Sequence, residues 1–263
     1  MKKLPEETRN IICIANQKGG VGKTTTAINL SASLAAAERK TLLIDCDPQG
    51  NATSGVGIDP STINRKNLYY ALIEDAPFEE VVFKTQIPTL DIVPSNQDLI
   101  GVEIEFVSLS NREKRLKNFL KRIESSYEFI IIDCPPSLGF LTVNSLVASD
   151  LLIIPLQCEY FALEGLGHLL NSVKLVQARL NPSLSLAGIL LTMFDKRNRL
   201  SHQVADEARK FFGSNVFKTV IPRNVRLSES PSYGLPIILY DIKSRGAISY
   251  MALATEILTN GRI

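Results

Sequence analysis

From Gln17 to Thr25 the chain reads Q-K-G-G-V-G-K-T-T, directly after a short apolar run and directly before a helical pattern. Glycines let successive backbone N–H groups converge on phosphate oxygens. Lys23 supplies a point charge to the β- and γ-phosphates, and the Thr24 hydroxyl is of the type that joins Mg²⁺. Strand, loop and helix in that order are the setting such a cradle requires. Gly19, Gly20, Val21, Gly22, Lys23, Thr24 and Thr25 are therefore the expected nucleotide-binding residues.

Carboxylates follow at two places. The second apolar run ends in Asp45-Cys46-Asp47-Pro48-Gln49. Strand alternation puts Asp45 and Asp47 on one face, at the carboxyl edge where open α/β sheets bind their ligands. A carboxylate there orders an attacking water, holds magnesium through water, or simply caps a turn. FIIIDCPPS places Asp133 after four apolar residues, the Walker B pattern for a water-mediated hold on Mg²⁺.

The loop departs from G-x-x-x-x-G-K-[ST]: Gln17 stands where the first glycine belongs, and a second lysine, Lys18, opens it. Taken alone, Lys18 reads equally well as a solvated loop lysine. The form K-G-G-x-x-K-T, however, resembles the deviant Walker A motif of the ParA/MinD ATPases. The block Val220-Ile221-Pro222-Arg223-Asn224-Val225-Arg226-Leu227-Ser228-Glu229-Ser230-Pro231, with LLTMFDKRNRLS and GNATSG, is similar to the chromosomal ParA/Soj branch. The likeness runs from Ile12 to about Leu258.

That resemblance implies an ATPase using ATP and Mg²⁺, with Lys18, Lys23 and Asp47 as catalytic residues. Lys18 would reach the partner's ATP across a dimer, and Asp47 would position the hydrolytic water with Asp45 in support. Thr24, Asp45 and Asp133 would serve the metal, and Pro222 and Asn224 the adenine. It further implies an ATP-dependent homodimer, non-specific binding of double-stranded DNA through Arg197 and Arg226, and a ParB-type centromere-binding partner that stimulates hydrolysis, all at the nucleoid. Lys196, Arg199, Arg223, Lys243 and Arg245 are possible helpers on DNA; individually each reads as well as a solvated side chain.

These residues need a frame. The 263 residues, 45% hydrophobic and 21% charged, suffice for one large domain. Short β-branched runs alternate with longer helical segments. The pattern predicts a single α/β P-loop NTPase domain, residues 11–263 after a short tail at 1–10, with a mostly parallel twisted sheet and helices on both faces. Strands are expected at 11–16, 41–46, 90–93, 129–134, 150–155, 186–192 and 216–221. Helices are expected at 23–37, 66–74, 96–107, 111–125, 140–148, 161–180, 201–212 and 245–260.

Charge is uneven along the chain. Residues 1–194 hold 18 basic and 21 acidic side chains, and residues 195–245 hold 10 and 5, which points to a polyanion-facing surface late in the sequence. Cys13, Cys46, Cys134 and Cys158 lack metal-ligand spacing and read as reduced core cysteines, which disfavours a cluster carrier. His168 and His202 read as ordinary helix residues. No apolar stretch is long enough to span a membrane, so the expectation is cytoplasmic. The end SYMALATEILTNGRI carries only Glu256 and Arg262, which disfavours a MinD-like membrane anchor. A positioning ATPase for another cargo shares every motif and remains the alternative. No helix-turn-helix segment precedes the loop, so operator reading is not expected.

Overall fold

The computed structural model describes residues 10–123, 127–160 and 162–259. The expected tail over 1–9, the helix ends at 124–125, 161 and 260, and Arg262 lie outside the described residues.

Among the described residues seven strands form one sheet: β1 (Asn10–Ile14), β2 (Thr41–Asp45), β3 (Phe83–Lys84), β4 (Leu90–Val93), β5 (Phe129–Asp133), β6 (Leu151–Gln157) and β7 (Ser185–Thr192). The helices are α1 (Lys23–Ala36), α2 (Asn51–Gly55), α3 (Leu68–Ile73), α4 (Phe78–Val81), α5 (Gly101–Glu105), α6 (Arg115–Arg122), α7 (Phe140–Ala148), α8 (Ala162–Arg179), α9 (Arg199–Phe212), α10 (Val225–Glu229), α11 (Ile237–Tyr240) and α12 (Arg245–Thr259). The strand order is β3-β4-β2-β5-β1-β6-β7, parallel throughout except where β3 runs against β4.

Side-chain alternation divides the core into two layers. Ile12, Ile14, Leu43, Ile131 and Ile153 face one way, against α1 and α12. Ile11, Cys13, Ile44, Ile132 and Ile154 face the other, against α6, α7, α8 and α9. Burial on both faces explains why these strands are apolar at nearly every position. β1 lies between β5 and β6. The chain leaves β1 toward one side of the sheet and later returns past β5 to the other. The crevice this opens at the carboxyl ends is the usual ligand position of such sheets.

The expected strand at 216–221 is not one. Only isolated bridges, Ile189 to Val216 and Phe194 to Pro222, tie this segment to the sheet edge. The reason is Glu256 on α12, whose two carboxylate oxygens accept the Lys218 and Thr219 N–H groups at 2.8 Å each, so those amides are not offered to a ladder. The expected helix at 96–107 is broken into two 3₁₀ turns flanking the short α5. The one expected from 111 begins as a 3₁₀ turn and becomes α-helical at Arg115. The four-to-five-residue helices α2, α4, α10 and α11 and the two-residue β3 were not anticipated.

Removing the Glu256 clamp tests this account of the edge. Glu256→Ala strands two amides and is expected to destabilise the fold by about 1–3 kcal/mol, measured as a lower urea midpoint at an unchanged slope.

Candidate functional site

The loop that follows β1 is anchored at its root. Asn16 Nδ2 donates to the Pro155 carbonyl of β6 at 2.7 Å, and its Oδ1 accepts the Lys18 N–H at 3.0 Å. Gly20 and Gly22 have φ of 74° and 90°, a left-handed conformation that glycine adopts without steric cost. The Gly22 carbonyl opens α1 by accepting the Thr26 N–H at 2.9 Å. Thr192, at the end of β7, donates its hydroxyl to the Val21 carbonyl at 2.8 Å, pinning the loop from the far side.

Lys23 is 6% exposed, and its Nζ rests on the Lys18 carbonyl at 3.1 Å. Burial lowers its pKa, while the attraction of Asp133 and, more weakly, Asp47 opposes that shift.

The carboxylates expected from the sequence converge beneath this loop. Asp45 and Asp133 occupy paired positions at the ends of β2 and β5, both fully buried. Their surroundings differ. Asp45 Oδ2 accepts the Thr53 N–H at 2.8 Å and the Thr53 hydroxyl at 2.7 Å, and its Oδ1 accepts the Asp47 N–H at 3.1 Å. Burial pushes its carboxyl up to about 6 against the pull of those bonds.

Among the described residues, neither Asp133 oxygen has a hydrogen-bond partner. Burial pushes this carboxyl well above the usual range and Asp45 adds to the shift. Thr24 works the other way, close enough to act without a hydrogen bond of good geometry. A buried, unpartnered carboxylate beside a threonine hydroxyl is an oxygen donor set of the kind magnesium takes, so the residues present fit that ion. Asp45, by contrast, is engaged on both oxygens. That arrangement favours anchoring the turn into α2 over a direct place on a metal.

Asp47 is 9% exposed; its Oδ1 accepts the Gln49 N–H at 3.0 Å, and its carbonyl accepts the Ser95 hydroxyl at 2.8 Å. It lines a cleft of about 610 Å³ together with Gly19, Gly20, Gly22, Lys23, Thr24 and Thr25. A second cavity of about 440 Å³ is lined by Pro222, Asn224, Val225, Leu227 and Tyr250, and shares Gly22, Thr25 and Met193 with the first. Asn224 Oδ1 is buried without a partner among the described residues. An acceptor held open at the side of an apolar pocket suits an exocyclic amine.

The basic residues do not act as one group. Lys196, Arg197, Arg223 and Arg245 line a groove of about 810 Å³ with Arg209, which the sequence reading did not single out. Arg226 lies apart, its guanidinium at 2.9 Å from Glu229, 3.7 Å from Asp241 and over the Tyr240 ring. Arg199 opens α9, and the Lys243 N–H bonds Asp241 Oδ1 at 3.2 Å. His168 and His202 stand on α8 and α9, and the four cysteines are buried and free. Sequence reasoning also missed Met193, whose φ of 49° turns the chain where the two cavities meet; no residue-type signal marks a methionine for that conformation. Thr53 stood inside the quoted GNATSG block, and a hydroxyl eight residues beyond Asp45 was the available clue.

Comparison with known proteins follows the same lines. A family model described as an AAA domain matches residues 9–186. The chain is 57% identical to the chromosome partitioning protein ParA of Myxococcus xanthus, covering 94% of this chain and 87% of that protein. It is 55% identical to the sporulation initiation inhibitor protein Soj of Bacillus subtilis, covering 95% and 99%. Among solved structures it superposes with a TM-score of 0.84, at 35% identity and over 95% and 94% of the two chains, on the cobyrinic acid a,c-diamide synthase of Mycobacterium smegmatis with bound ADP and magnesium. At these identities over most of both chains, the chain belongs to the ParA/Soj family of partitioning ATPases.

Proposed function

We propose that this ATPase is a DNA-partitioning switch: an ATP-bound homodimer binds double-stranded DNA without sequence preference, and hydrolysis stimulated by a ParB-type centromere-binding protein releases it. The observation that carries the nucleotide half is the unpartnered Asp133 carboxylate under a glycine cradle that also presents Lys23 and Thr24. The relatives named for partitioning support the rest.

In this reading Gly19 to Thr25 wrap the phosphates with their N–H groups, and Lys23 swings from the Lys18 carbonyl to the β/γ oxygens. When bound, Mg²⁺ supplies Lewis-acid neutralisation of the phosphate charge, held by Thr24 and Asp133. Asp47, at the mouth of the cleft, orients the attacking water. Asp45 keeps Asp47 in place through the Asp47 N–H and fixes the α2 turn through Thr53. Asn224 accepts the adenine amine, with Pro222 against the ring. Lys18, at the rim, serves the ATP of a second copy.

The DNA half rests on the groove of Arg197 and its basic neighbours, with Arg226 joining once its acidic partners release it. One chain offers few phosphate contacts; two chains held rigidly together offer twice as many, the second set at high effective concentration. Among the described residues no helix is long and apolar enough to cross a membrane. α12 is docked on α1, with the Tyr250 hydroxyl 3.1 Å from Thr26 Oγ1. The cargo-neutral alternative shares the entire nucleotide site and differs only in the adaptor.

Four outcomes follow. Asp47→Ala is expected to bind ATP, persist as a dimer on size exclusion and lose about 100-fold or more in turnover; wild-type turnover in that variant removes the assignment. Asn224→Ala should weaken ATP by about 5- to 30-fold while leaving GTP little changed, read by competition against a fluorescent nucleotide. On unrelated DNA duplexes, binding should require ATP, fall steeply with salt, and be lost in Arg197→Glu and Arg226→Glu while ATP dimerisation persists. Adding the ParB-type partner with DNA should raise hydrolysis above either alone. Equal binding in ADP and ATP would leave an ATPase without the DNA switch.

A further inference from the structure

Both loop lysines are held within their own chain. Lys23 Nζ donates to the Lys18 carbonyl, while Lys18 Nζ reaches Glu159 Oε2 at 2.9 Å, with side chains 44% and 47% exposed. Glu159 is itself oriented: its Oε1 accepts Gln157 Nε2 at 2.5 Å and its N–H bonds the Gln157 carbonyl at 2.8 Å. Gln157 ends β6, the strand whose Pro155 carbonyl accepts from Asn16, and Asn16 in turn takes the Lys18 N–H. The two ends of the ion pair therefore stand on a frame fixed by one asparagine.

We infer that Glu159 is a positioning residue that latches Lys18 in cis in the single chain and releases it when a second copy docks. This rests on the reading that Lys18 serves the partner's nucleotide. One ammonium on one stem cannot hold Glu159 and also span to another chain, so each dimer formed breaks two such pairs.

Three ties keep Lys18 home: its N–H on Asn16, its carbonyl under Lys23, and its ammonium on Glu159. Phosphates that draw Lys23 away remove the second. Nucleotide binding thus loosens the segment that carries Lys18 before any partner arrives, which ties the latch to the occupied cleft.

The magnitude is bounded. An exposed ion pair corresponds to a factor of about 1.5 to 5 in an equilibrium constant, so releasing two shifts dimerisation by about 2- to 30-fold. That tunes the concentration at which copies pair without blocking pairing, as a reversible switch needs.

The test is sedimentation equilibrium of the full chain with magnesium and a non-hydrolysable ATP analogue. It compares wild type with Glu159→Gln, Glu159→Asp, Gln157→Ala, Lys18→Gln and the Lys18→Gln/Glu159→Gln double variant. Glu159→Gln is expected to dimerise at about 2- to 30-fold lower concentration, with Gln157→Ala shifted less in the same direction. The affinity of the monomer for ADP should be unchanged. The gap between wild type and Glu159→Gln should narrow as salt screens the pair, a response that loss of a merely structural contact would not give. In the Lys18→Gln background the Glu159 change should have no effect.

If Glu159→Gln proves unstable to heat, Glu159→Asp carries the test: it keeps the charge but shortens the reach, and should shift dimerisation in the same direction. Dimerisation of the Glu159 variants at or above the wild-type concentration, while Lys18→Gln fails to dimerise, overturns the latch and spares the trans lysine. Wild-type dimerisation of Lys18→Gln overturns the trans reading itself, and the latch with it.

Discussion

Two fully buried carboxylates at the ends of neighbouring parallel strands are the constraint around which this molecule is arranged. Asp45 and Asp133 sit in register on β2 and β5, and adjacent strands lie only about 4.8 Å apart. Like charges at that separation, away from water, raise each other's pKa and make the pair expensive to keep ionised. The fold answers the two differently. Asp45 is supplied with three hydrogen-bond donors; Asp133 is supplied with none and has Lys23 as its nearby cation. The asymmetry separates roles: one carboxylate is completed by the protein and the other is left to be completed by what binds.

The rest of the architecture serves to hold that contrast. Four central strands, buried on both faces, fix the carboxylate positions through their register. Thr53 and Ser95 then tie the turn after β2 to the end of β4, since the Ser95 N–H bonds Thr53 Oγ1 at 2.9 Å and the Ser95 hydroxyl bonds the Asp47 carbonyl. Asn16, bonded to the Pro155 carbonyl of β6, and Thr192 of β7 restrain the phosphate loop. Groups from β1, β2, β4, β5, β6 and β7 or their immediate ends thus contact the site or brace it, β6 through its Pro155 carbonyl.

Much of this was legible in the residues. β1, β2, β4, β5, β6 and β7 announce themselves as apolar runs because both faces are covered, and the phosphate loop because glycine, lysine and threonine at that spacing have few other uses. The strand at 216–221 was misread because periodicity cannot show that Glu256, some forty residues later, takes the amides a ladder would have used. The helix at 96–107 was read as continuous because apolar spacing survives through 3₁₀ turns, in which the hydrogen bonding changes but the buried face does not. At the site, the sequence offered both Asp45 and Asp133 for the metal yet could not tell the satisfied carboxylate from the open one. That distinction depends on Thr53 being folded back onto Asp45. The basic stretch foretold a positive surface, while leaving out Arg209 and giving no sign that Arg226 would face Glu229 and Asp241.

Pro222 and Arg223 form a partition, one side of which walls the pocket of Asn224 and Tyr250 and the other the basic groove. Asn224 follows directly, with its open acceptor in the pocket. Such a shared wall makes two surfaces into one inheritable unit. A substitution that reshapes the pocket displaces the backbone carrying Arg223, and a change selected for the groove alters the shape of the pocket. Descendants of this sequence are therefore expected to drift at positions 222–224 in concert, and a chimera between relatives should exchange the three residues as a block or leave them alone.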